Sequence, residues 1–334
     1  MTPAPQTRVL RLGTRRSALA TTQSSWVADA LRRAGSEVEL VEVTTHGDVN
    51  RAPLAQIGGT GVFVSALRDA LLGGEVDLAV HSLKDLPTAA APGLAMVVPE
   101  REDPRDALVA SGGRTVAELP AGARVGTGSP RRQALLKALR PDLDVVAIRG
   151  NVDTRIGFVT SGELDAVVLA AAGLARIGRS AEISELFAPD TFVPAPGQGA
   201  LAVECRADDA EVVAALAVLD VPAVRRAVAA ERQLLATLES GCSAPVGAYA
   251  DASTLHVAVQ DGAGALVRRT AAFAGVPDED AARSLGAGVA HDLLRNELRD
   301  ALWNTADGGA KVAPENHPQD RPGDGPRPDP ESGS

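Results

Sequence analysis

Two short stretches of the sequence contain side chains that could do chemistry. Cys242 stands in "LESGCSAPVG", a turn after a predicted helix, where a side chain can be presented to a cleft. The other cysteine, Cys205, lies in the apolar run "ALAVECRAD" and fits the common role of a small buried hydrophobe. We therefore take Cys242 as the candidate reactive thiol.

The second stretch is "AVHSLKDLPT", in which Lys84 and Asp85 follow a strand apolar enough to be covered on both faces. An acid beside a lysine is a candidate proton donor and stabiliser of a developing cation, although a solvated polar turn has the same composition. His81 fits a hydrogen-bonded core histidine better than a catalytic one. The histidines lack metal-ligand spacing, and C-x-x-C and H-E-x-x-H are absent, so no metal site is predicted.

Arginine supplies nearly all of the positive charge, because lysine occurs only at positions 84, 137 and 311. A compositional bias toward arginine explains that ratio but not where the arginines stand. Several fall in or just after predicted strand-to-helix junctions: Arg15, Arg16, Arg131, Arg132, Arg149, Arg155 and Arg176. Guanidinium groups bind planar carboxylates through paired hydrogen bonds. The pattern predicts a binding site for a ligand with several carboxylates.

Two glycine-rich turns, "IGGTGVF" and "VGTGSPRRQ", precede predicted helices and could hold an anion on backbone N–H groups. The first lacks the Lys-Ser/Thr pair of a P-loop. The second has Pro130 and Arg131 where a dinucleotide fingerprint needs its later glycine. Neither turn is therefore a specific nucleotide signature.

The elements that must position these residues alternate between strand and helix, and the pattern occurs twice. "RLGT" at Arg11 matches "RVGT" at Arg124, and "GEVDLAV" at Gly74 matches "GELDAVV" at Gly162. This predicts two related α/β lobes, the first with an extra loop over residues 46–61. In the second lobe, "LDAVVLAAAGLARIG" is predicted as a strand that runs into a loop. Ligands of open α/β sheets bind outside the carboxyl ends of strands, so two facing lobes would form a cleft lined by the arginines.

The rest of the chain has a different pattern. A helix from Pro222, the Cys242 turn, a hairpin around two glycines and an acid-started helix predict a smaller α+β domain. From about Thr305 the sequence is rich in Gly, Pro and charge, which predicts disorder. The predicted domains are residues 1–99 with about 200–218, residues 100–199, residues 219–304 carrying the cysteine, and the tail 305–334.

Composition limits the class of protein and partner. The 334 residues suggest two or three domains, and an apolar share of 45% allows a proper core. No signal-type apolar region and no run near the ~18 residues of a membrane span occurs, which predicts a cytoplasmic protein with reduced thiols. A net charge of -10 and an aromatic content of 2% argue against nucleic acid and acidic membranes as partners. A small-molecule ligand is expected.

Six motifs in one order resemble the porphobilinogen deaminase family. They are "AVHSLKDLPT", "EREDPRDALV", "GTGSPRRQALL", "RGNVDTR", "VPAPGQGALAVECR" and "LESGCSAPVGAYA", and the similarity runs from about Val9 to the last helix. The resemblance implies two related periplasmic-binding-protein-like lobes with a cleft between them, plus a smaller α+β C-terminal domain. It implies a transferase that joins four porphobilinogens head to tail, with loss of ammonia, and releases the linear tetrapyrrole hydroxymethylbilane by hydrolysis.

The resemblance also assigns roles to residues. Cys242 would carry a covalent dipyrromethane primer made from two substrate molecules, and Asp85 would be the catalytic carboxylate. The primer would be held by Ser82, Lys84, Thr127, Ser129, Arg131, Arg132, Gly150, Arg155 and Gln198. Incoming porphobilinogen would be bound by Arg15, Ser17, Gln23, Arg149, Asn151 and Arg176. The product would pass to the next tetrapyrrole enzyme, and the protein would be a monomer.

The loop over residues 46–61 departs from the family pattern. His46, Gln56 and Thr60 occupy positions that are basic in many relatives, and Pro130 replaces a common leucine, so no role is carried over to them. Two other classes stay open at this stage. A clamshell binding protein would explain the paired lobes but would not need Cys242, and a carboxylate oxidoreductase would need a dinucleotide fingerprint.

Overall fold

The fold was described from a computed structural model, which covers residues 8–43, 61–239 and 244–298. Its strands are β1 (Val9–Thr14), β2 (Glu37–Glu42), β3 (Leu78–Ser82), β4 (Leu94–Val97), β5 (Asp106–Ala110), β6 (Arg124–Gly126), β7 (Asp144–Val146), β8 (Ala166–Ala170), β9 (Glu185–Leu186), β10 (Leu201–Arg206), β11 (Val246–Ala250), β12 (Thr254–Gln260) and β13 (Leu266–Ala272). Its α-helices are α1 (Ala18–Arg33), α2 (Gly61–Leu72), α3 (Pro130–Leu139), α4 (Val152–Thr160), α5 (Ala171–Arg176), α6 (Ala210–Ala217), α7 (Pro222–Thr237) and α8 (Glu279–Asn296).

Two five-stranded sheets repeat one topology. The first has the order β2-β1-β3-β10-β4 and the second the order β7-β6-β8-β5-β9. In each, three neighbouring strands are parallel, and the two remaining strands continue the sheet in antiparallel pairs. The matched segments "RLGT" and "RVGT" begin in the equivalent strands β1 and β6. The predicted α/β class and the internal repeat are therefore confirmed.

The third sheet is an antiparallel meander of β11, β12 and β13, packed against α7 and α8. Its apolar face includes Leu255, Val257 and Val259 on alternate positions of β12, which meet Leu234 of α7 and Leu293 of α8 in one core. This alternation is the period-2 pattern of a half-buried strand. The small α+β unit predicted for this part of the chain is confirmed.

Cys205 lies in β10, inside the core of the first sheet, and is 1% exposed. Burial raises the pKa of its thiol to about 11, which keeps it protonated and unreactive at neutral pH. Its interpretation as a structural residue is confirmed.

One prediction in the second lobe was wrong. The segment after β8 is the short helix α5 rather than a loop. Alanine and leucine dominate it, and both favour the helical state once a preceding strand has ended. Arg176 therefore stands at the carboxyl end of a helix, a full helix beyond the end of its strand.

Three predicted features lie outside the described residues: Cys242 itself, nearly all of the loop 46–61, and the tail from Thr305. Within the described ranges, no helix combines the length and apolar character that crossing a bilayer would need.

The chain passes between the two large sheets twice, before β5 and before β10, and the two crossovers touch. Gly199 has a φ of 87°, and a Cβ there would lie 2.5 Å from the carbonyl oxygen of Glu102 in the other crossover. Only glycine allows this approach. The two connections therefore pack directly against each other.

A buried carboxylate links these two crossovers to the C-terminal unit. Glu231 of α7 is fully buried and accepts two hydrogen bonds from the guanidinium of Arg101, at 2.7 and 3.1 Å. It also accepts from the backbone N–H of Gly197 at 2.7 Å and of Ala250 at 2.8 Å. Both crossovers and β11 are thus held by one side chain.

We expect Glu231→Ala to destabilise the protein strongly. The substitution would leave the Arg101 charge and two backbone donors buried without an acceptor, a loss that typically costs about 3–5 kcal/mol. Urea unfolding of the wild type and the variant measures it. Glu279→Ala, which removes a partly exposed acid that pairs with Arg225 and Arg283, serves as the control and should cost much less. Equal midpoints for Glu231→Ala and the wild type would contradict the assigned role.

Candidate active site

The residues assigned to the site come together at one edge of each large sheet, where parallel strands end. They are Arg15 and Ser17 after β1; Ser82, Lys84 and Asp85 at and after β3; Thr127, Ser129, Arg131 and Arg132 after β6; and Arg149, Gly150, Asn151 and Arg155 after β7. Gln23 lies in α1, Gln198 in the second crossover and Arg176 at the end of α5. The predicted strand-to-helix junctions thus place most of these residues at the carboxyl ends of parallel strands, where ligands of open α/β sheets bind.

Three of these residues begin helices. Ser17, Ser129 and Asn151 are the N-caps of α1, α3 and α4, and their side chains accept from the backbone N–H group three residues on. Side-chain oxygens at this position satisfy donors that the helix leaves free. These residues therefore set where each helix starts, in addition to any contact with a ligand.

The centre of the site is a carboxylate that the sequence analysis did not single out. Asp106 begins β5 and is fully buried. One of its oxygens accepts from Arg131 at 2.7 Å, and the other accepts from Arg132 at 2.9 Å and from the side-chain amide of Gln198 at 2.9 Å. Burial opposes ionisation, but Arg131 and Arg132 outweigh it and hold the pKa of Asp106 well below its usual range.

Positive charge exceeds negative charge around Asp106. Lys84 lies 3.4 Å from the side-chain oxygen of Gln198, and its surroundings lower its pKa to about 8, mainly by burial and secondly through the charge of Arg132. Part of the Lys84 side chain still meets solvent in the cleft. Burial and the Arg132 charge also lower the pKa of Arg155, and the buried Nε of Arg131 makes no hydrogen bond within the described residues.

This donor set fits a ligand that carries several carboxylates. Arg131 and Arg132 share the buried Asp106, and Lys84 and Arg155 add two further cations near Arg132 with only the exposed Asp85 as an additional acid, an excess of positive charge that is costly until further anions enter. Dipyrromethane has acetate and propionate side chains, so its chemistry matches the cluster of Lys84, Arg131, Arg132 and Arg155.

A small cavity lies between this cluster and the C-terminal unit. Its walls include Lys84, Ser129 and Arg131 on one side and Leu235, Ala244 and Val246 on the other. Cys242 itself lies outside the described residues, two positions before Ala244 in the sequence.

Asp85 ends the short 3-10 turn Leu83–Asp85 and is exposed at the edge of β3. Just before it, Ser82 accepts a hydrogen bond of 2.9 Å from the buried side chain of Gln23 in α1. The first lobe thus holds the start of this turn by a contact between two residues that the resemblance had assigned separately to primer and substrate.

Several assigned residues are engaged locally. Arg155 Nε donates to the carbonyl of Gly150 at 2.8 Å, and Arg176 donates to the carbonyl of Gly199 at 2.7 Å. The hydroxyl of Thr127 accepts from the N–H of Ser129 at 3.2 Å. Arg149 and Asn151 are exposed on the edge of the second lobe. The exposed guanidinium of Arg149 is therefore positioned where a ligand could reach it.

Sequence reasoning missed Asp106 and the pair Arg101–Glu231. Asp106 had a detectable signal, since it is an acid directly before the apolar run of a buried strand, where a charge needs a partner. Glu231 had no such signal, because a single acid in an amphipathic helix cannot be distinguished by sequence from an acid on the solvent-exposed face.

Comparison with known proteins identifies the family. A family model described as "Porphobilinogen deaminase, dipyromethane cofactor binding domain" matches residues 10–214, and one described as "Porphobilinogen deaminase, C-terminal domain" matches residues 225–295. The chain belongs to the porphobilinogen deaminase family. The resemblance of the six motifs to this family is thereby confirmed, and dipyrromethane is the cofactor that the family's first domain binds.

Named relatives cover most of the chain. The porphobilinogen deaminase of Thermobifida fusca is 55% identical over 89% of this chain and 97% of its own. That of Acidothermus cellulolyticus is 51% identical over 95% and 98%, and porphobilinogen deaminase 1 of Streptomyces coelicolor is 65% identical over 73% and 78%.

Solved structures are similar at much lower identity. The methionine binding protein MetQ matches with a TM-score of 0.41 and 13% identity, covering 63% of this chain and 89% of its own. A YaeC family lipoprotein from Enterococcus faecalis matches with a TM-score of 0.38 and 15% identity, covering 63% and 90%.

The lowered pKa of Lys84 has a consequence for stability. Its folded pKa of about 8 lies below the ordinary value of 10.5, so between these values the unfolded chain binds more protons than the folded chain. The contribution of Lys84 to the free energy of unfolding therefore rises as the pH increases from 8 to 10.5. Below pH 8, the folded state bears the full destabilisation of keeping Lys84 protonated.

We expect Lys84→Met to stabilise the Cys242→Ser background, which cannot carry a thioether-linked primer, at pH 7. The advantage should shrink as the pH rises toward 10. Urea unfolding of both proteins across this range measures it, and Lys137→Met, which changes an exposed lysine of α3, is the control. A difference that does not depend on pH would contradict the assignment.

Proposed function

We propose that this protein joins four porphobilinogen molecules head to tail, with release of four ammonia, on a dipyrromethane primer bound to Cys242. Hydrolysis then releases hydroxymethylbilane and leaves the primer on the protein. The observation that carries the proposal is the cluster of Lys84, Arg131 and Arg132 around the buried carboxylate Asp106, with Arg155 near Arg132, within the residues that the dipyrromethane-binding domain model matches.

The cations give the cleft its substrate class. Each added pyrrole brings an acetate and a propionate, and guanidinium groups bind such carboxylates in pairs of hydrogen bonds. Lys84, Arg131, Arg132 and Arg155 would hold the primer, with Ser82, Thr127, Ser129, Gly150 and Gln198. Arg15, Ser17, Gln23, Arg149, Asn151 and Arg176 would hold the incoming porphobilinogen.

When bound, the primer supplies a nucleophilic pyrrole carbon at its free end. The protein's own task is to make porphobilinogen electrophilic. Loss of ammonia from its aminomethyl group leaves a positive charge shared with the pyrrole nitrogen. Asp85, exposed at the cleft edge beside Lys84, would stabilise that charge as it develops. The proton displaced when the new carbon–carbon bond is made would carry away the positive charge, so the step would balance without a further reactant.

The test is the intact mass of the purified protein beside the Cys242→Ser variant, with peptide mapping. A mass excess of two pyrrole units on Cys242, absent from the variant, supports the proposal. An unmodified Cys242 in a protein that still consumes porphobilinogen would mean that the primer is lost or is attached to another residue. An unmodified Cys242 without activity after incubation with substrate would favour a non-catalytic clamshell binding protein.

The proposal extends to organisation and location, on the family resemblance. The protein would act as a cytoplasmic monomer that passes its product to the next tetrapyrrole enzyme. Its domains would be residues 1–99 with about 200–218, residues 100–199 and residues 219–304, followed by the tail 305–334. Placement of β10 in the first sheet supports the return of the chain to the first lobe.

A further inference from the structure

Arg232 of α7 reaches from the C-terminal unit to the turn that carries Lys84 and Asp85. One of its terminal nitrogens donates to the carbonyl of Leu83 at 3.2 Å and to that of Leu86 at 3.0 Å. The other donates to the carbonyl of Pro87 at 2.6 Å. A single guanidinium therefore spans both ends of the 3-10 turn.

The same face of α7 packs under this turn. Val228 lies one helical turn before Arg232, and it shares a buried cluster with Leu83 and Leu86. Leu83 is fully buried against the backbone of Gly197. Apolar contacts fix how deep the turn sits, and the guanidinium fixes the direction of its carbonyls, so the orientation of Asp85 depends on Arg232.

The helix that holds the turn also leads to the cysteine. α7 ends at Thr237, five residues before Cys242, and its Leu235 lines the cavity beside Lys84. One helix therefore contacts both the Asp85 turn, through Arg232, and the cavity beside Lys84, through Leu235.

We propose that Arg232 is a positioning residue for the reaction: it orients Asp85 by holding the carbonyls that flank it, and so couples the Asp85 turn to α7, the helix that precedes Cys242 in the sequence. The inference rests on the proposed function of Asp85. Arg232 lies behind the turn, bound to backbone carbonyls, and acts through the turn rather than on the substrate.

The variants are Arg232→Met, Arg232→Lys and, as a matched control on the same helix, Arg225→Met. Arg225 pairs with Asp220 at 2.6 Å and Glu279 at 3.0 Å and does not contact the turn. Arg232→Met should lower kcat about 100-fold with a much smaller change in KM, since a displacement near 1 Å can cost that much. Arg232→Lys should recover part of the loss, because one ammonium replaces a two-nitrogen fork.

Hydrogen exchange of the peptide spanning residues 80–90 separates this inference from the proposed function. Arg232→Met should speed exchange there, and Arg225→Met should not, whether or not the protein makes tetrapyrrole. Normal exchange in that peptide, or a loss of stability in Arg232→Met with kcat unchanged, would overturn the positioning role. A wild-type protein without primer or turnover would overturn the proposed function. The exchange result would then show only whether Arg232 holds the turn.

Discussion

Asp85→Asn should remove nearly all ammonia release from porphobilinogen while leaving the fold unchanged. Asparagine has almost the same shape, so the turn between β3 and Pro87 keeps its hydrogen bonds to Arg232. In the proposed mechanism, the substitution removes the negative charge that would stand next to the pyrrole nitrogen when ammonia leaves. Loss of one preorganised electrostatic contact of this kind costs about 100- to 1000-fold in rate.

The measurement is ammonia released per molecule that carries primer, with the primer counted by intact mass. Counting it this way matters because the primer is itself made from substrate, so a variant could fail at either stage. Urea unfolding should give a midpoint equal to that of the wild type, since Asp85 is exposed. Asp153→Asn, which changes an exposed acid of α4 that pairs with Arg179, is the matched control and should keep full turnover. Turnover of Asp85→Asn near the wild-type level would remove Asp85 from the reaction.

The position of Asp85 could be predicted from the sequence because the signal is local. A mainly apolar strand, a polar turn and a proline follow one another closely, and the internal match of "GEVDLAV" with "GELDAVV" places the strand in a repeated sheet. The same local pattern of strand, turn and helix predicted the elements that carry Ser129 and Asn151, whose roles came only from the family resemblance. Local rules were enough wherever one strand and one helix decide the geometry.

Contacts between distant segments could not be predicted in this way. Arg131 follows Asp106 by 25 residues in the sequence. The two meet because β5 pairs with β8 in the folded sheet. Arg232 reaches Leu83 across 149 residues. Pairing of this kind depends on how sheets and helices pack, and a single sequence shows neither. The helix α5 was missed for another reason, since a short apolar run after a strand gives little periodicity.

Asp106→Asn should destabilise the protein by about 3–5 kcal/mol, because it removes the one buried charge that Arg131 and Arg132 share. The loss should depend on the primer. Without primer, as in the Cys242→Ser background, the arginines and Lys84 would face one another with no carboxylate between them. With primer bound, its carboxylates offset part of that repulsion, so the same substitution should cost less.

Asp77→Asn is the control that separates this effect from loss of any buried acid. Asp77 is 1% exposed and pairs with Arg8, Arg11 and Arg206, but it precedes β3 and so lies at the opposite edge of the sheet from the cleft. Its cost should be the same with and without primer. Urea midpoints of both variants in both backgrounds decide the question. If Asp106→Asn costs the same in each, the cation cluster and the primer do not share their charge, and the site assigned to the primer must lie elsewhere.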